Sequence, residues 1–166
     1  MRIGFDFDNT IVNYDSLFHK IALQQNLIDE SVPINKLAVR DFLHATQQQN
    51  IWTELQGYVY GARMDEAQSF PNLVDVLKRL KSAGHDLMII SHKTQYPYLG
   101  IPYDLHRAAF SWIEKYLKNE NGALISDQFI FFELAKEAKL DRIAQLKCDI
   151  FIDDLPEILL AENFPT

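Results

Sequence analysis

Four short apolar runs, none alternating with polar residues, constrain this chain more than any other feature. Ile3 to Phe7 is the first, with Gly4 its one weak point. "DLMIIS" (Asp86 to Ser91), "QFIFF" (Gln128 to Phe132) and "CDIFID" (Cys148 to Asp153) follow. Runs without alternation suit strands covered on both faces, as in a parallel sheet. Helical stripes lie between them. Leu73, Val76, Leu77 and Leu80 recur at helical spacing behind Pro71, with Gly84 as the stop. Leu105, Ala109, Trp112, Ile113 and Tyr116 form a second stripe, and Leu140, Ile143 and Leu146 a third. Pro156 fits the first turn of a helix carrying Ile158 and Leu159. Strands alternating with helices predict an α/β fold with a doubly wound parallel sheet.

One stretch breaks the alternation. From Asn13 to Ser69 no convincing strand is legible, but three helical stripes are. They are Leu17, Phe18, Ile21 and Leu23; Leu37, Ala38 and Phe42 behind Pro33; and Ile51, Trp52, Leu55 and Val59. A crossover between parallel strands needs one helix rather than three. The expectation is therefore a core formed by residues 1–12 and 70–166, with a small helical insertion over 13–69.

Composition limits what such a chain can do. A length of 166 residues and an apolar fraction of 48% suit one ordinary folded domain with a real core. The net charge of −7 argues against a nucleic-acid surface, because phosphate backbones reward clustered Lys and Arg. A small phosphorylated substrate stays compatible, since a bound cation reverses the local sign. The single cysteine, Cys148, excludes an internal disulfide and reads as an inert packed thiol. Met1 and Arg2 lead straight into an apolar strand, without the pattern of a signal peptide. No apolar run approaches the roughly 20 residues of a membrane span. A soluble, cytoplasmic protein without a membrane partner is the expectation; the sequence does not speak to oligomeric state.

The chemistry concentrates where the apolar runs end. "FDFDNT" sets Asp6 and Asp8 two residues apart, and on an ideal strand both side chains share a face. In an α/β sheet, ligands bind beyond the carboxyl ends of the strands. Two carboxylates there repel each other, which a cation between them relieves. A second pair, Asp153 and Asp154, closes the fourth run in "IFIDDLPEI", and Ser91 closes the second. Oxygen ligands gathered from several strand ends suit a hard cation, and magnesium is the usual partner of phosphates.

These residues in this order resemble the signatures of the haloacid dehalogenase-like superfamily. "DFDNT" is similar to its first motif, DxDx(T/V); "MIISHKT" to its second, an apolar strand ending in Ser or Thr; "IFIDDLPEI" to its acidic fourth. The resemblance runs from Ile3 to about Leu160. The third motif is a lysine near the start of the preceding helix. Lys139 fits best, since "KLDRIAQL" begins the helix feeding the fourth strand; Lys136 is the nearest competitor, and Lys147 lies too close to the strand.

The resemblance implies a magnesium-dependent phosphatase acting on a small phosphomonoester. Asp6 is the implied nucleophile, forming an aspartyl-phosphate, and Asp8 the implied general acid and base. The implied magnesium ligands are Asp6, the main-chain carbonyl of Asp8, and Asp153, with Asp154 or Glu157 in the outer shell. Thr10, Ser91 and Lys139 are the implied phosphoryl contacts. Acid at position 8 separates the chain from dehalogenases, which lack it, and from transporting ATPases, which carry Thr there. The 13–69 segment resembles the inserted helical cap of many relatives. Its Lys20, Lys36, Arg40 and Arg63 read as surface charges; His92, next to Ser91, is placed at the flank of the site, with a structural and a functional role both open.

The chain stops soon after the fourth motif, where relatives commonly add a strand, so a reduced sheet or an incomplete C-terminus is expected. Three other readings use similar residues. A receiver-like domain would want adjacent acids on the first strand and a phosphorylated Asp on a middle one, where this chain has Ser91. A phosphotransferase of the same family, or a non-catalytic phospho-ligand-binding domain, shares every motif; sequence does not separate them from a hydrolase.

Overall fold

The computed structural model describes residues 1–120 and 122–165. Its strands are β1 (Arg2–Phe5), β2 (Val12–Asn13), β3 (Gln68–Ser69), β4 (Asp86–His92), β5 (Lys118–Asn119), β6 (Gly122–Ala123), β7 (Ile130–Glu133) and β8 (Ile150–Ile152). The α-helices are α1 (Asp15–Gln24), α2 (Lys36–Ala45), α3 (Gln49–Tyr60), α4 (Leu73–Ser82), α5 (Leu105–Tyr116), α6 (Lys136–Leu146) and α7 (Pro156–Leu159). The chain divides into two compact units. One comprises Met1–Val12, Ser69–Thr94 and Ile113–Thr166; the other comprises Asn13–Gln68 and Gln95–Trp112.

The first unit holds the four apolar runs as one parallel sheet of order β7-β4-β1-β8. Phe5 registers with Ile89 on one side and Ile152 on the other. From β1 the chain moves outward through β4 to β7, then returns to place β8 on the far side of β1. That reversal makes the carboxyl end of β1 the switch point at which α/β sheets bind ligands.

Alternate residues of β4 face opposite ways, and both sets are buried. Met88 and Ile90 pack with Leu140 and Ile143 of α6 and Ile158 of α7. Helix α4, whose Leu77 is fully enclosed, also packs against β4. Each such aliphatic side chain contributes about 1.5–3 kcal/mol by leaving water. Helix α4 ends as expected, with Gly84 in the left-handed region at φ 81°, and Pro156 occupies the first turn of α7.

Several expectations shift in detail. One outer strand is not covered on both faces: Ile150 and Ile152 of β8 are 42% and 44% exposed. An outer strand has one neighbour, and α7 is too short to shield it. The third run starts as a 3₁₀ turn, Asp127–Phe129, before becoming β7. Cys148 precedes β8 rather than opening it. Its half-buried thiol donates to Met88 Sδ at 3.5 Å, and burial pushes its pKa up, as suits an inert packed residue.

The second unit contains α1, α2 and α3 and also takes in Gln95–Trp112, outside the 13–69 range of the expected insertion. Phe18, Tyr14 and Tyr60 meet edge-on, and Phe18 lies 5.0 Å from Trp52, centroid to centroid. The stripe of α2 is rotated from the expected one. Val39 and Leu43 are buried, whereas Leu37 is exposed. Apolar residues surround this helix, so packing chose the buried face. Asn35 caps α2, its side chain accepting from the Leu37 and Ala38 amides. Among the described residues no helix is long and apolar enough to cross a membrane.

Gly4, the weak point of the first run, has a packing reason. A Cβ there would stand 2.6 Å from Phe151 Cδ2 and 3.1 Å from Cys148 Sγ, across the β1–β8 pair. Gly4→Val is expected to lose about 1–3 kcal/mol in urea unfolding; unchanged stability would contradict this close approach.

Candidate active site

The site is built on the turn that follows β1. Strand pairing ends at Phe5, two residues earlier than the sequence predicts, yet the Asp6 amide still donates to the Ile152 carbonyl at 2.8 Å. The backbone then closes on itself. The Ile11 and Val12 amides both donate to the Phe7 carbonyl at 3.1 Å, and the Asn9 amide donates to the Val12 carbonyl at 2.9 Å. Asn9 sits in the left-handed region at φ 61°, which Asn tolerates better than most residues. Phe7, Ile11 and Val12 are fully enclosed and anchor this turn. The strand stops early because the turn takes over the backbone groups a ladder would use.

Asp6 is 5% exposed. Its Oδ1 accepts from Ser91 Oγ at 2.9 Å and from Lys139 Nζ at 2.6 Å. The same ammonium donates to Asp153 Oδ2 at 2.6 Å. Lys139 is 1% exposed, and Asp153 Oδ1 is held in turn by the Leu155 amide at 3.0 Å. A lysine this deep requires paired carboxylates, because an isolated buried ammonium is strongly unfavourable. Acids read from two separate motifs thus meet on the lysine of a third.

Helix α6 begins at Lys136, one turn before Lys139, where it was expected to begin. That turn separates the two lysine candidates. Lys136 lies near the surface and pairs with Glu157, whose carboxyl it holds below the usual range. Lys139 faces inward. Asp6, Asp153 and Asp154 each bring one carboxylate oxygen to within 4.8 Å of the others. Asp154 therefore joins the cluster, whereas Glu157 is engaged elsewhere.

Burial raises the Asp6 carboxyl to about 7; the Lys139 charge opposes that rise, while the charges of Asp8 and Asp153 add to it. The donor set is all oxygen, mostly carboxylate, and one buried ammonium serves two acids. This chemistry fits a hard divalent cation, which would favour the ionised form of each acid.

The remaining expected residues are close in the chain. Thr10 Oγ1 is enclosed with no hydrogen-bond partner among the described residues, an arrangement that costs about 1–3 kcal/mol unless something fills it. His92 ends β4 opposite Glu133. The side chain of Asp8 lies outside the three-acid cluster. Its Oδ2 and Oδ1 accept from Lys93 Nζ at 2.7 and 3.0 Å. Lys93 is 4% exposed and was not singled out from the sequence. The available signal was its position two residues past Ser91, where strand alternation returns a side chain to the same face.

No family model matches the chain. A Bacillus cereus protein described as "Putative nucleotidase" is 21% identical over 164 residues, covering 96% of this chain and 79% of its own. A second protein so described, from Oceanobacillus iheyensis, is 20% identical over 168 residues, covering 96% of this chain and 79% of its own. Among solved structures, a HAD-superfamily hydrolase from Ehrlichia chaffeensis superposes with a TM-score of 0.51 at 15% identity, covering 95% of this chain and 80% of that one. At such identity the likeness speaks for the fold, and the expected α/β sheet is borne out.

The lysine clamp can be tested without any substrate. In EDTA, Lys139→Met is expected to lose about 3–5 kcal/mol of unfolding free energy, because it strands buried carboxylates. Lys136→Ala, which removes an exposed pair, should change stability by no more than about 0.5 kcal/mol. Equal losses would remove Lys139 from the centre of the site.

Proposed function

We propose that this chain, which has the haloacid dehalogenase-like fold, is a magnesium-dependent phosphatase of small phosphomonoesters that works through an aspartyl-phosphate on Asp6. The observation that carries the reading is the buried Asp6 carboxylate, whose Oδ1 is held by both Ser91 and Lys139. With Oδ1 fixed, Oδ2 is the oxygen assigned to attack. Held geometry of this kind turns a weak nucleophile into a positioned one.

In the first step Asp6 attacks phosphorus as the ester P–O bond breaks, and Asp8 gives its proton to the departing oxygen. In the second, water attacks the same phosphorus, Asp8 takes the water proton, and the bond to Asp6 breaks. Inorganic phosphate leaves and the Asp6 carboxylate is restored. Ser91 and Lys139, already against Asp6, are assigned to the transferred oxygens, with the enclosed Thr10 hydroxyl as a third donor. Asp6, Asp153 and Asp154 would hold magnesium, with the Asp8 main-chain carbonyl as the resemblance implies. Bound there, the ion would offset the repulsion between carboxylates and a dianionic phosphoryl group.

The description carried by the two bacterial relatives makes nucleoside monophosphates the first substrates to try. Against nucleotides, sugar phosphates and an aryl phosphate, the expected result is hydrolysis that EDTA stops and magnesium restores. Asp6→Asn should lower kcat by a factor on the order of 10³ or more. A folded protein inert with magnesium across the panel would sink the reading, as would an Asp6→Asn variant with full activity.

A further inference from the structure

We propose that Lys93 is a positioning residue, whose buried ammonium fixes the orientation of the Asp8 carboxylate for its acid–base work. The inference rests on the phosphatase reading and adds to it a group that the recognised motifs do not include.

The ammonium meets both oxygens of Asp8, at 2.7 and 3.0 Å. Contact with both oxygens holds the carboxylate against the end of β4 and keeps it from swinging away into solvent. Each end of the pair is anchored by backbone. The Lys93 amide donates to the Glu133 carbonyl at 2.9 Å, carrying the β4–β7 pairing one residue past His92. Asp8 is tied to Val12 by a β-bridge within the turn. The lysine side chain is 3% exposed, whereas that of Asp8 is 21% exposed, so the acid keeps an open side while its partner is sealed in. The Phe7 ring centroid lies 5.6 Å from the ammonium.

Surface pairs of this type add little, and their geometry is loose. A buried pair is different: the desolvated ammonium strongly favours one arrangement, and its main return is a fixed geometry rather than stability. The two lysines hold different acids. Lys139 holds Asp6 and Asp153, and Lys93 holds Asp8. A proton donor displaced by about 1 Å loses on the order of 100-fold in rate, which sets the effect expected of Lys93.

The test separates positioning from phosphoryl binding by changing the leaving group. 2,4-Dinitrophenyl phosphate releases an anion that needs no proton, whereas an alkyl phosphate needs one. kcat/KM is the parameter to compare, because it reports the step that forms the phosphoenzyme and is blind to its hydrolysis. Lys93→Met should lower kcat/KM by about 100-fold on the alkyl ester and by less than about threefold on the dinitrophenyl ester. Lys93→Arg should recover most of the alkyl rate. Adding Lys93→Met to Asp8→Asn should cost no more than Asp8→Asn alone, since one acts through the other. Equal losses on both esters would overturn the proposal and make Lys93 a contact of the transferred group; no loss on either would overturn it as well. If Lys93→Met does not fold, the same two-ester comparison on Lys93→Gln decides, with an equal loss or none again the refuting result. Wild-type protein inert on both esters would instead refute the phosphatase reading beneath it.

Discussion

One buried ammonium organises the first unit at the carboxyl ends of its strands. Lys139 reaches from α6 to Asp6 at the end of β1 and to Asp153 at the end of β8, with 2.6 Å contacts to each. Neither carboxylate would tolerate that depth beside the other without a cation. The contact also links elements far apart in the chain, since 133 residues separate Asp6 from Lys139. Helix α6 packs on β4 through Leu140 and Ile143, so the core that buries those side chains also aims the lysine next to them. Packing and charge are satisfied by the same helix.

The sheet order decides where this can happen. Placing β1 between β4 and β8 brings three carboxyl-terminal ends side by side, and each supplies a different group. The β1 end supplies Asp6 and Asp8, the β4 end supplies Ser91 and Lys93, and the β8 end supplies Asp153 and Asp154. The turn after β1 keeps its acids close to the sheet because Phe7, Ile11 and Val12 are buried on either side of them. Asn9, at positive φ, closes that turn. The acidic cluster is thus mounted on a turn anchored by three fully buried side chains, which leaves its carboxylates little room to move.

The site as it stands holds more negative charge than its two lysines balance. Burial raises Asp6 to about 7, and its acidic neighbours add to that rise. Such local conflict is common where chemistry is done, because groups arranged for a charged partner are uncomfortable without it. The enclosed Thr10 hydroxyl is a second instance. Both are the kind of conflict that the proposed magnesium ion and phosphoryl group would relieve.

Much was legible in the chain alone. Apolar runs without alternation announced a parallel sheet, and acids at two run ends with a serine at a third marked the edge where Asp6, Ser91, Lys139 and Asp153 meet. These features lie within windows of about ten residues, where strand burial and strand-end chemistry leave a direct trace. What depends on three-dimensional neighbours left none. The buried face of α2 could not be read because apolar residues surround that helix, and only packing chose Val39 and Leu43 over Leu37. The exposure of β8 follows from its place at the sheet edge, which no local run encodes. Lys136 and Lys139 share a helix and a charge, and only the phase of α6 against the sheet sends one to Glu157 and the other inward. Lys93 looked like any solvated lysine until the turn after β1 brought Asp8 to it. Local pattern fixes which groups stand at a strand end; which of them touch is set by how strands and helices pack, and that belongs to the whole fold.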